Sequence, residues 1–526
     1  FHIRILMKKM EGLLYNSWDI INLYIMNEKA TFFGHPIGLR TLFLTEMWER
    51  MSYYGMRGIM VLFMTAGVTG INPGLNFSAA EANAIYGAYI GLVYFMVVPG
   101  GWLADNIFGH QKAVLAGALI ITLGHFTLAI PITQTFFLGL LFIILGTGLL
   151  KGNISTIVGR LYENNDSMRD SGYTIFYMSI NIGSVLGFLI CGGLGEKLGW
   201  HWGFGAAGFG MAFGAYQFIK FRHLLGDAGA KPNDMSIASR TKYKNIFYIA
   251  SLVLAILIIL LFFGFFSIDP VSFAESYAYF LIIIAGLYFV FLFVFAGLTP
   301  AEKKNLLLLF FLFLGAAAFW SGFDQSGGSL TLFARDFTNL DFFGYLLPVS
   351  YINLINPIFV VIFAPIFAGI WTNLALKNLD PSLPIKFAIG LFFMSISFIV
   401  MIYAVEAAMT YGQVGIQWLL ITYLLHTWGE LALSPIGLSA FSRYSPKKYT
   451  GQMFGLWFTA SAIGGVLAGL LGGEATNEGL ESMSPIFSFM ITYYLVIGVF
   501  LLALAFFIKP AKDLKEAPDE KMTSSN

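Results

Sequence analysis

The fold of this chain is decided by the stretch Glu46-Met47-Trp48-Glu49-Arg50-Met51-Ser52-Tyr53-Tyr54-Gly55-Met56-Arg57. Its two glutamates, two arginines and two tyrosines recur at intervals of three and four residues, so they lie on one face of a helix. The opposite face carries leucine, methionine, phenylalanine and valine. A polar face on such a helix must look toward a cavity or another helix. A fixed ion-pair staple between helices would explain some of these groups, but not all of them together.

Three further charges lie inside long apolar stretches of the chain. Lys151 lies in the fourth stretch, Asp324 in the seventh and Glu430 in the tenth, when an uncharged pair in the middle of the chain is left out of the count. A charge at the centre of a bilayer costs roughly 2.5–3.5 kcal/mol on insertion scales, so these charges should face each other or a water-filled cavity. Their regular spacing in two halves indicates a secondary transporter with a charged central path.

The composition excludes an ordinary soluble protein. Of the 526 residues, 57% are hydrophobic and only 11% are charged. A membrane-spanning helix needs about 20 apolar residues, and the chain contains fourteen stretches of suitable length. These predicted spans lie near residues 38–66, 80–104, 112–131, 135–160, 171–196, 200–220, 245–268, 276–298, 304–331, 345–374, 385–407, 414–440, 449–472 and 484–508.

Lysine and arginine residues predict the topology. Outside the spans they concentrate in alternate connections, and the opposite side receives only Lys197 and Arg335. The positive-inside rule therefore places both termini in the cytoplasm. The net charge of +1, without a basic face, gives no indication of a nucleic-acid partner.

We predict five regions along the chain. Residues 1–33 form an N-terminal cytoplasmic extension that does not begin with methionine, and we favour a mis-annotated start upstream of Met26. The first half of the repeat is a six-helix bundle, and the second half is another. A basic cytoplasmic linker and an uncharged two-helix insert, interpreted as a lipid-facing hairpin, lie between them. The remaining boundaries are 34–221, 222–303, 304–509 and a cytoplasmic tail at 510–526.

A glycine pattern supports the duplication. Gly183 and Gly187 lie in the fifth span, and Gly464, Gly465 and Gly469 occupy the matching span of the second half. Small residues at this spacing allow close approach of helix backbones in lipid. Transporter folds often contain such internal repeats.

Five segments in order resemble the proton-dependent oligopeptide transporter (POT) family of the major facilitator superfamily. The first is the ExxER and Tyr-Tyr-Gly pattern of the opening stretch, and the resemblance extends from about Gly34 to Lys509. Met51 replaces the usual phenylalanine, Phe323 stands where some members carry a second acid, and the eighth functional helix departs from the commoner pattern. The other matching segments are 100–112, 148–155, 176–184 and 429–439.

The resemblance implies an all-α membrane protein with the major facilitator superfamily fold: two six-helix bundles plus a two-helix insert, 14 transmembrane helices in all. It implies a proton-coupled symporter in a bacterial cytoplasmic (inner) membrane that imports di- and tripeptides by alternating access. Peptides and the lipid bilayer are the expected partners, without an obligate protein partner. Protons are the coupling ion and no cofactor is expected. The alternatives are transport of another small anion or peptide-like compound, and a peptide sensor that does not transport.

The resemblance also assigns roles to individual residues. Arg50 and Lys151 would bind the peptide carboxylate, and Glu430 with Asn181 and Asn356 would bind its amino group. Fixed opposite charges suit the two ends of a zwitterionic peptide, whatever its side chains. The residues that would line side-chain pockets or lie near the amino end are Tyr53, Tyr54, Tyr94, Trp320, Trp457, Phe458 and Ser461.

Helix depth predicts an outer gate. At about 1.5 Å per residue, Arg57 lies about 25 Å along the first span and Asp324 about 30 Å along the seventh, which runs in the same direction. The two opposite charges should therefore meet in the outer third of the membrane. The family resemblance implies the same Arg57–Asp324 latch and a Lys151–Glu430 contact further in.

Proton coupling requires a carboxylate whose proton affinity depends on its neighbours. If a peptide carboxylate draws Arg50 away, Glu46 or Glu49 should hold a proton more readily, and the linkage is reciprocal. The residues expected to carry coupling are Glu46, Glu49, Arg50, Lys151, Asp324 and Glu430.

Other chemistry has little support in the sequence. His125 and His426 are interpreted as packed, hydrogen-bonded histidines, although His426 could modulate Glu430. The chain contains one cysteine, Cys191, and carries neither an HExxH nor a GxSxG motif. We therefore expect neither an enzyme nor a metal site.

Overall fold

A computed structural model describes residues 31–162, 168–265 and 267–508. Most of the predicted N-terminal extension and all of the tail lie outside the described residues. The described chain is almost entirely helical, with three short two-stranded pairings in its connections. These pairings join Thr31–Phe32 to His35–Pro36, Thr338–Asn339 to Val414–Gly415, and Asp341–Phe342 to Tyr345–Leu346.

Fourteen long helices coincide with the fourteen predicted spans. The first six are α1 (Gly38–Thr65), α2 (Ala79–Phe95), α3 (His110–Leu128), α4 (Thr133–Arg160), α5 (Arg169–Gly187) and α6 (Trp200–Phe221). The insert consists of α7 (Ile237–Phe262) and α8 (Pro270–Val294). The last six are α9 (Pro300–Phe323), α10 (Ile355–Leu376), α11 (Leu383–Tyr411), α12 (Gln417–Arg443), α13 (Thr450–Thr476) and α14 (Leu480–Phe507).

Eleven helices of the described chain are long and apolar enough to cross a membrane by composition alone. The other three long helices are α1, α6 and α12. Helix α1 carries the charged face, and α12 carries Glu430 and His426, so their composition is more polar than that of a lipid-facing helix. Their lengths of 28, 22 and 27 residues are nevertheless those of spanning helices.

Several helices begin at clear capping residues. The Ser78 and Thr299 hydroxyls each accept a hydrogen bond from a glutamate backbone three residues later, and both positions form capping boxes. Ser236 caps α7, so this helix begins eight residues before the predicted span, within the stretch interpreted as a basic loop. Asp269 caps α8, and its hydrogen bond from the Ser272 backbone N–H holds the pKa of Asp269 below its usual value.

The interpretation of the insert as a lipid-facing hairpin holds fully only for α7, whose apolar membrane-spanning segment contains no buried residue. Helix α8 packs on both α2 and α13 through one face that includes Ala274, Tyr277 and Leu281. Alanines interspersed with larger side chains at helical spacing let this face approach two helices. The prediction therefore holds only in part for α8, because its other faces, with Tyr279, Ile283 and Leu287, remain exposed.

The glycine pattern marks the closest helix contacts. A Cβ on Gly187 would come within 2.7 Å of the Gly55 nitrogen, so α5 lies directly against α1. A Cβ on Gly464 would meet the Ala317 carbonyl oxygen at 2.8 Å, which is the equivalent contact between α13 and α9. Gly469 instead approaches Gly87 of α2, and this contact joins the two halves.

Polar contacts join the halves at their outer ends. The Arg335 guanidinium donates to the Thr65 hydroxyl at 2.6 Å, and the Asn83 amide donates to the Thr476 hydroxyl at 3.2 Å. Deeper polar contacts of α10 and α12, such as that between Asn356 and Thr427, stay within the second half. The structure is therefore closed on the side that the charge bias predicts to lie outside, called the outer side below.

Candidate substrate-binding site

A central cavity lies between the two halves, with about 760 Å³ of space not occupied by atoms, part of it open to solvent. Its walls combine aromatic rings with a few polar groups, which is the usual composition of a site for small molecules. The lining residues include Tyr54, Arg57, Tyr94, Tyr177, Asn181, Phe188, Trp320, Phe323, Asp324, Asn353, Asn356, Tyr423, His426 and Glu430.

The polar face of α1 forms a compact charged cluster in which Arg50 contacts two carboxylates. Its guanidinium binds Glu49 through two nitrogens, with Nη2 and Oε1 separated by 2.5 Å. Its Nε also lies 3.3 Å from Glu46 Oε1, and all three residues are buried. The second oxygen of Glu46 has no hydrogen-bonding partner in the described part of the chain. Glu49 is therefore the tighter partner of Arg50 in this conformation.

Lys151 lies on α4 beside an aromatic pair. Its Nζ lies 3.9 Å from the centroid of the Tyr94 ring, which is a cation–π distance. The Tyr94 ring in turn stacks on Phe458 of α13, with centroids 6.4 Å apart. Within residues 31–162, 168–265 and 267–508, no carboxylate forms an ion pair with Lys151. The Lys151 ammonium group is therefore held by an aromatic ring rather than by a carboxylate.

Glu430 lies on the opposite wall, on α12. Asn356 donates a hydrogen bond to Glu430 Oε2 at 3.1 Å and another to the Thr427 hydroxyl at 3.0 Å. No cationic side chain of the described residues pairs with Glu430, so the Lys151–Glu430 contact implied by the resemblance is not formed in this structure. A conformation closed on its outer side explains this difference, because closing one side of such a transporter separates the halves on the other.

The outer end of the cavity is closed by an ion pair between the halves. Arg57 Nη2 lies 2.7 Å from Asp324 Oδ1, and both side chains are buried. Arg57 also donates to the Tyr86 hydroxyl at 2.6 Å, and its guanidinium lies over the Tyr86 ring. Asp324 directly follows α9, at the point where the helix gives way to a short 3₁₀ turn. The pair thus links α1, α2 and the end of α9.

The structure distributes the predicted peptide-binding residues over two layers. Tyr54, Tyr94, Asn181, Trp320, Asn356 and Glu430 line the cavity. The others are not among its lining residues: Lys151 and Phe458, and the buried Arg50, Tyr53, Trp457 and Ser461, each with 5% or less of its surface exposed. Trp457 packs against Phe441 and Gly437 inside the second half. The buried side chains could touch a ligand only after the residues that cover them move aside.

One wall of the cavity was missed by sequence reasoning. Tyr177, Ile180, Ser184 and Phe188 of the fifth span line it together with Asn181. They recur at intervals of three and four residues, so they share one helix face with Asn181. The spacing alone does not indicate whether that face lines a cavity or packs against a neighbouring helix.

The two membrane histidines are packed, but the expectation that they are hydrogen-bonded was wrong. Neither ring nitrogen of His125 or His426 has a partner among the described residues. His426 is enclosed by the rings of Phe323, Phe398 and Tyr423. No group of three or more potential metal ligands occurs in the described part of the chain.

Comparison with known proteins identifies the family. Residues 111–479 match the POT family. The chain is 39% identical over 469 residues to the peptide transporter YePEPT of Yersinia enterocolitica, covering 87% of this chain and 91% of that relative. The chain belongs to the POT family. It is also 37% identical to a di-/tripeptide transporter of Lactococcus lactis subsp. cremoris, covering 82% of this chain and 88% of that protein.

Solved structures of POT proteins share the fold. A crystal structure of peptide transporter POT in complex with sulfate has a TM-score of 0.85 and 38% identity, covering 91% of this chain and 96% of that one. A POT family transporter in complex with a thioalcohol-conjugated peptide has a TM-score of 0.83 and 32% identity, covering 91% and 98%. The expected all-α membrane fold of the major facilitator superfamily is therefore confirmed, and the chain is a transporter rather than an enzyme.

Proposed function

We propose that this chain imports di- and tripeptides by alternating access, in symport with protons. This proposal rests on two side chains of opposite charge, Lys151 and Glu430, which lie in different halves of the protein. Lys151 of the first half and Glu430 of the second have no ion-pair partner among the described residues. A zwitterionic peptide supplies one charge for each of them.

The peptide carboxylate would bind on the side of Lys151 and Arg50. Among the described residues, Lys151 contacts the Tyr94 ring and donates no hydrogen bond to another side chain, so its three N–H donors remain available for a carboxylate. Arg50 is engaged by Glu49 and Glu46, so a ligand carboxylate would compete with these acids for it. This competition supplies a physical connection between peptide binding and the acids of α1.

The peptide amino group would bind Glu430, whose side chain is already oriented by Asn356. Asn181 lies on the facing helix α5 and lines the same cavity. An ammonium group donates three hydrogen bonds, and a carboxylate with two amide oxygens supplies matching acceptors. The aromatic walls formed by Tyr54, Tyr94 and Trp320 would accept different peptide side chains.

The proton-coupling step would follow from the Arg50 cluster. When the ligand carboxylate attracts Arg50, Glu49 and Glu46 lose part of their positive neighbour, and a carboxylate in that situation binds a proton more readily. Proton and peptide then favour each other's binding. Asp324 and Arg57 would act at the outer gate, which must open to admit a peptide from outside.

The orientation of the termini follows from the charge bias of the connections, and the bacterial membrane follows from the family resemblance. We place this integral membrane protein in a bacterial cytoplasmic membrane, with both termini inside. We also retain the proposed bundle boundaries at 34–221 and 304–509, with the linker and insert at 222–303 between them.

Uptake of labelled dialanine into proteoliposomes, with and without an inward proton gradient, tests the proposal. Accumulation above equilibrium only with the gradient is the expected result. N-acetyl-dialanine, which lacks the ammonium group, should compete poorly. Binding of dialanine without counterflow would instead indicate a sensor, and gradient-driven uptake of simple anions alone would indicate the other transporter class.

A further inference from the structure

The outer end of α5 contacts the second half through a carboxylate. Helix α5 continues through a π-helical turn, Phe188–Gly192, into the short segment Gly193–Lys197. There Glu196 accepts hydrogen bonds from two consecutive backbone N–H groups, Val349 at 2.7 Å and Ser350 at 2.8 Å. Both donors belong to the 3₁₀ helix Val349–Leu354 that leads into α10. This contact joins the two halves at a different seam from the Arg57–Asp324 pair.

The two N–H groups are the kind that a helix leaves without a partner inside itself. The first residues of any helix have free backbone donors, and the partial positive charge there favours an anion. Such a cap normally comes from the preceding residues of the same segment. Here it comes from the other half of the protein, so it can form only when α5 and α10 are close together on the outer side.

Three neighbouring contacts define the same junction. The Tyr351 hydroxyl donates to the Leu189 carbonyl at 3.2 Å. Lys197 lies with its Nζ 3.7 Å from the centroid of the Tyr345 ring. A Cβ on Gly192 would come within 3.0 Å of the Ser350 Cβ, so only glycine allows this approach. The junction is thus closely packed around the Glu196 carboxylate.

We propose that Glu196 is a second outer latch of this transporter, acting as a positioning residue for the closed outer side. It holds the beginning of α10 against the end of α5 when the cavity faces the cytoplasm. Each time the outer side opens, the carboxylate must release both amide groups to water. The Arg57–Asp324 pair closes the α1–α9 side of the cavity, and Glu196 closes the α5–α10 side. This inference rests on the proposed alternating-access function.

The test measures an outer distance by electron–electron double resonance. Because Cys191 is the only cysteine in the chain, Cys191→Ala gives a background without cysteines. Spin labels at Ile132→Cys and Tyr411→Cys report the separation of the halves, since these exposed positions lie on outer connections of the first and second half. Glu196→Gln should increase the outward-open population about 10- to 100-fold, the effect of losing about one charge-assisted hydrogen bond.

Two further variants make the result decisive. Val349→Pro removes one amide donor from the opposite side of the contact and keeps Glu196 intact. Proline is tolerated at the first position of a helix. The residue before a proline must have an extended backbone, and Pro348 already has one. This variant should shift the same distance in the same direction by a smaller amount. The matched control Glu406→Gln, at an exposed glutamate of α11, should leave the distance unchanged.

Distance distributions of Glu196→Gln and Val349→Pro that coincide with that of Glu406→Gln would overturn the proposal. If Glu196→Gln does not fold, Val349→Pro alone decides between these outcomes. The measurement needs no peptide, so a failure of the proposed peptide transport would not alter its reading.

Discussion

Arg57 and Asp324 meet across the two halves, with 2.7 Å between Nη2 and Oδ1 and with both side chains buried. Removing one partner of a buried ion pair leaves an uncompensated charge and costs about 3–5 kcal/mol. Such a cost shifts an equilibrium by about 150- to 5,000-fold, so we expect Arg57→Asp to disfavour the closed outer side strongly and to reduce dialanine uptake to about 1% or less.

Exchanging the charges should recover only part of this loss. In Arg57→Asp with Asp324→Arg, attraction between the halves returns, but the Tyr86 hydroxyl no longer has its arginine donor. Uptake of labelled dialanine by Arg57→Asp and by the double variant tests the pair. Equal inactivity of the single and double variants, together with cysteine cross-linking that finds the positions apart in every state, would argue against a gate.

The positions of the helices could be predicted from the sequence because membrane spans depend on local hydropathy. The residues that line the cavity were harder to predict, because the rotation of each helix about its axis is fixed by packing against helices that are distant in sequence. Tyr177 and Phe188 were missed for this reason, and the buried face of α8 was overlooked because its partners lie in other parts of the chain. The absent Lys151–Glu430 contact depends on the conformational state, which a sequence does not specify.

Both glutamates of α1 should be needed for coupling, but they should differ in their effect on peptide selectivity. Glutamine keeps the size and hydrogen bonding of glutamate, but its side chain cannot bind and release a proton near neutral pH. We expect Glu46→Gln and Glu49→Gln to abolish gradient-driven accumulation while leaving peptide exchange measurable. Glu49→Gln should also weaken peptide selectivity, because Glu49 holds Arg50 through two nitrogens whereas Glu46 makes one contact at 3.3 Å. Accumulation at the unmodified rate in both variants would remove these acids from the coupling mechanism.

Glu430→Gln should weaken peptide binding rather than coupling. The variant removes the counter-charge for the ammonium group, and a hydrogen bond to a charged group is worth about 1.5–3 kcal/mol, which corresponds to about 10- to 100-fold in affinity. The measurement is the competition of dialanine and of N-acetyl-dialanine against a labelled peptide. Affinity should fall for dialanine and stay nearly constant for the acetylated form. Asn356→Ala removes the hydrogen bond that orients Glu430 and one amide acceptor but keeps the counter-charge, so it should give a smaller loss.

The ring of Tyr94 should matter more than its hydroxyl. Lys151 Nζ lies 3.9 Å from the ring centroid, and a desolvated cation–π contact contributes about 0.5–2 kcal/mol. Tyr94→Phe keeps this contact and should change peptide affinity by less than about twofold. Tyr94→Leu loses it, and affinity should fall by about 3- to 30-fold as Lys151 loses its position. Equal affinities of the Phe and Leu variants would show that the ring does not position Lys151.

The seam between α2 and α13 should not tolerate a methyl group at Gly469. A Cβ there would lie 2.7 Å from the Gly87 Cα and 2.9 Å from the Gly87 nitrogen, and these backbone atoms cannot move aside as a flexible side chain can. Overpacking of this kind costs about 1–3 kcal/mol. We expect Gly469→Ala to lower the thermal unfolding temperature in detergent and to reduce uptake, because this seam joins the two halves.

The matched control is Gly451→Ala on the same helix, where a Cβ meets nothing within 4 Å. Since alanine is otherwise the better helix former, a drop in stability of Gly469→Ala beyond that of Gly451→Ala can come only from the contact with α2. Equal stability of the two variants would mean that the halves are further apart at Gly469 than the structure places them.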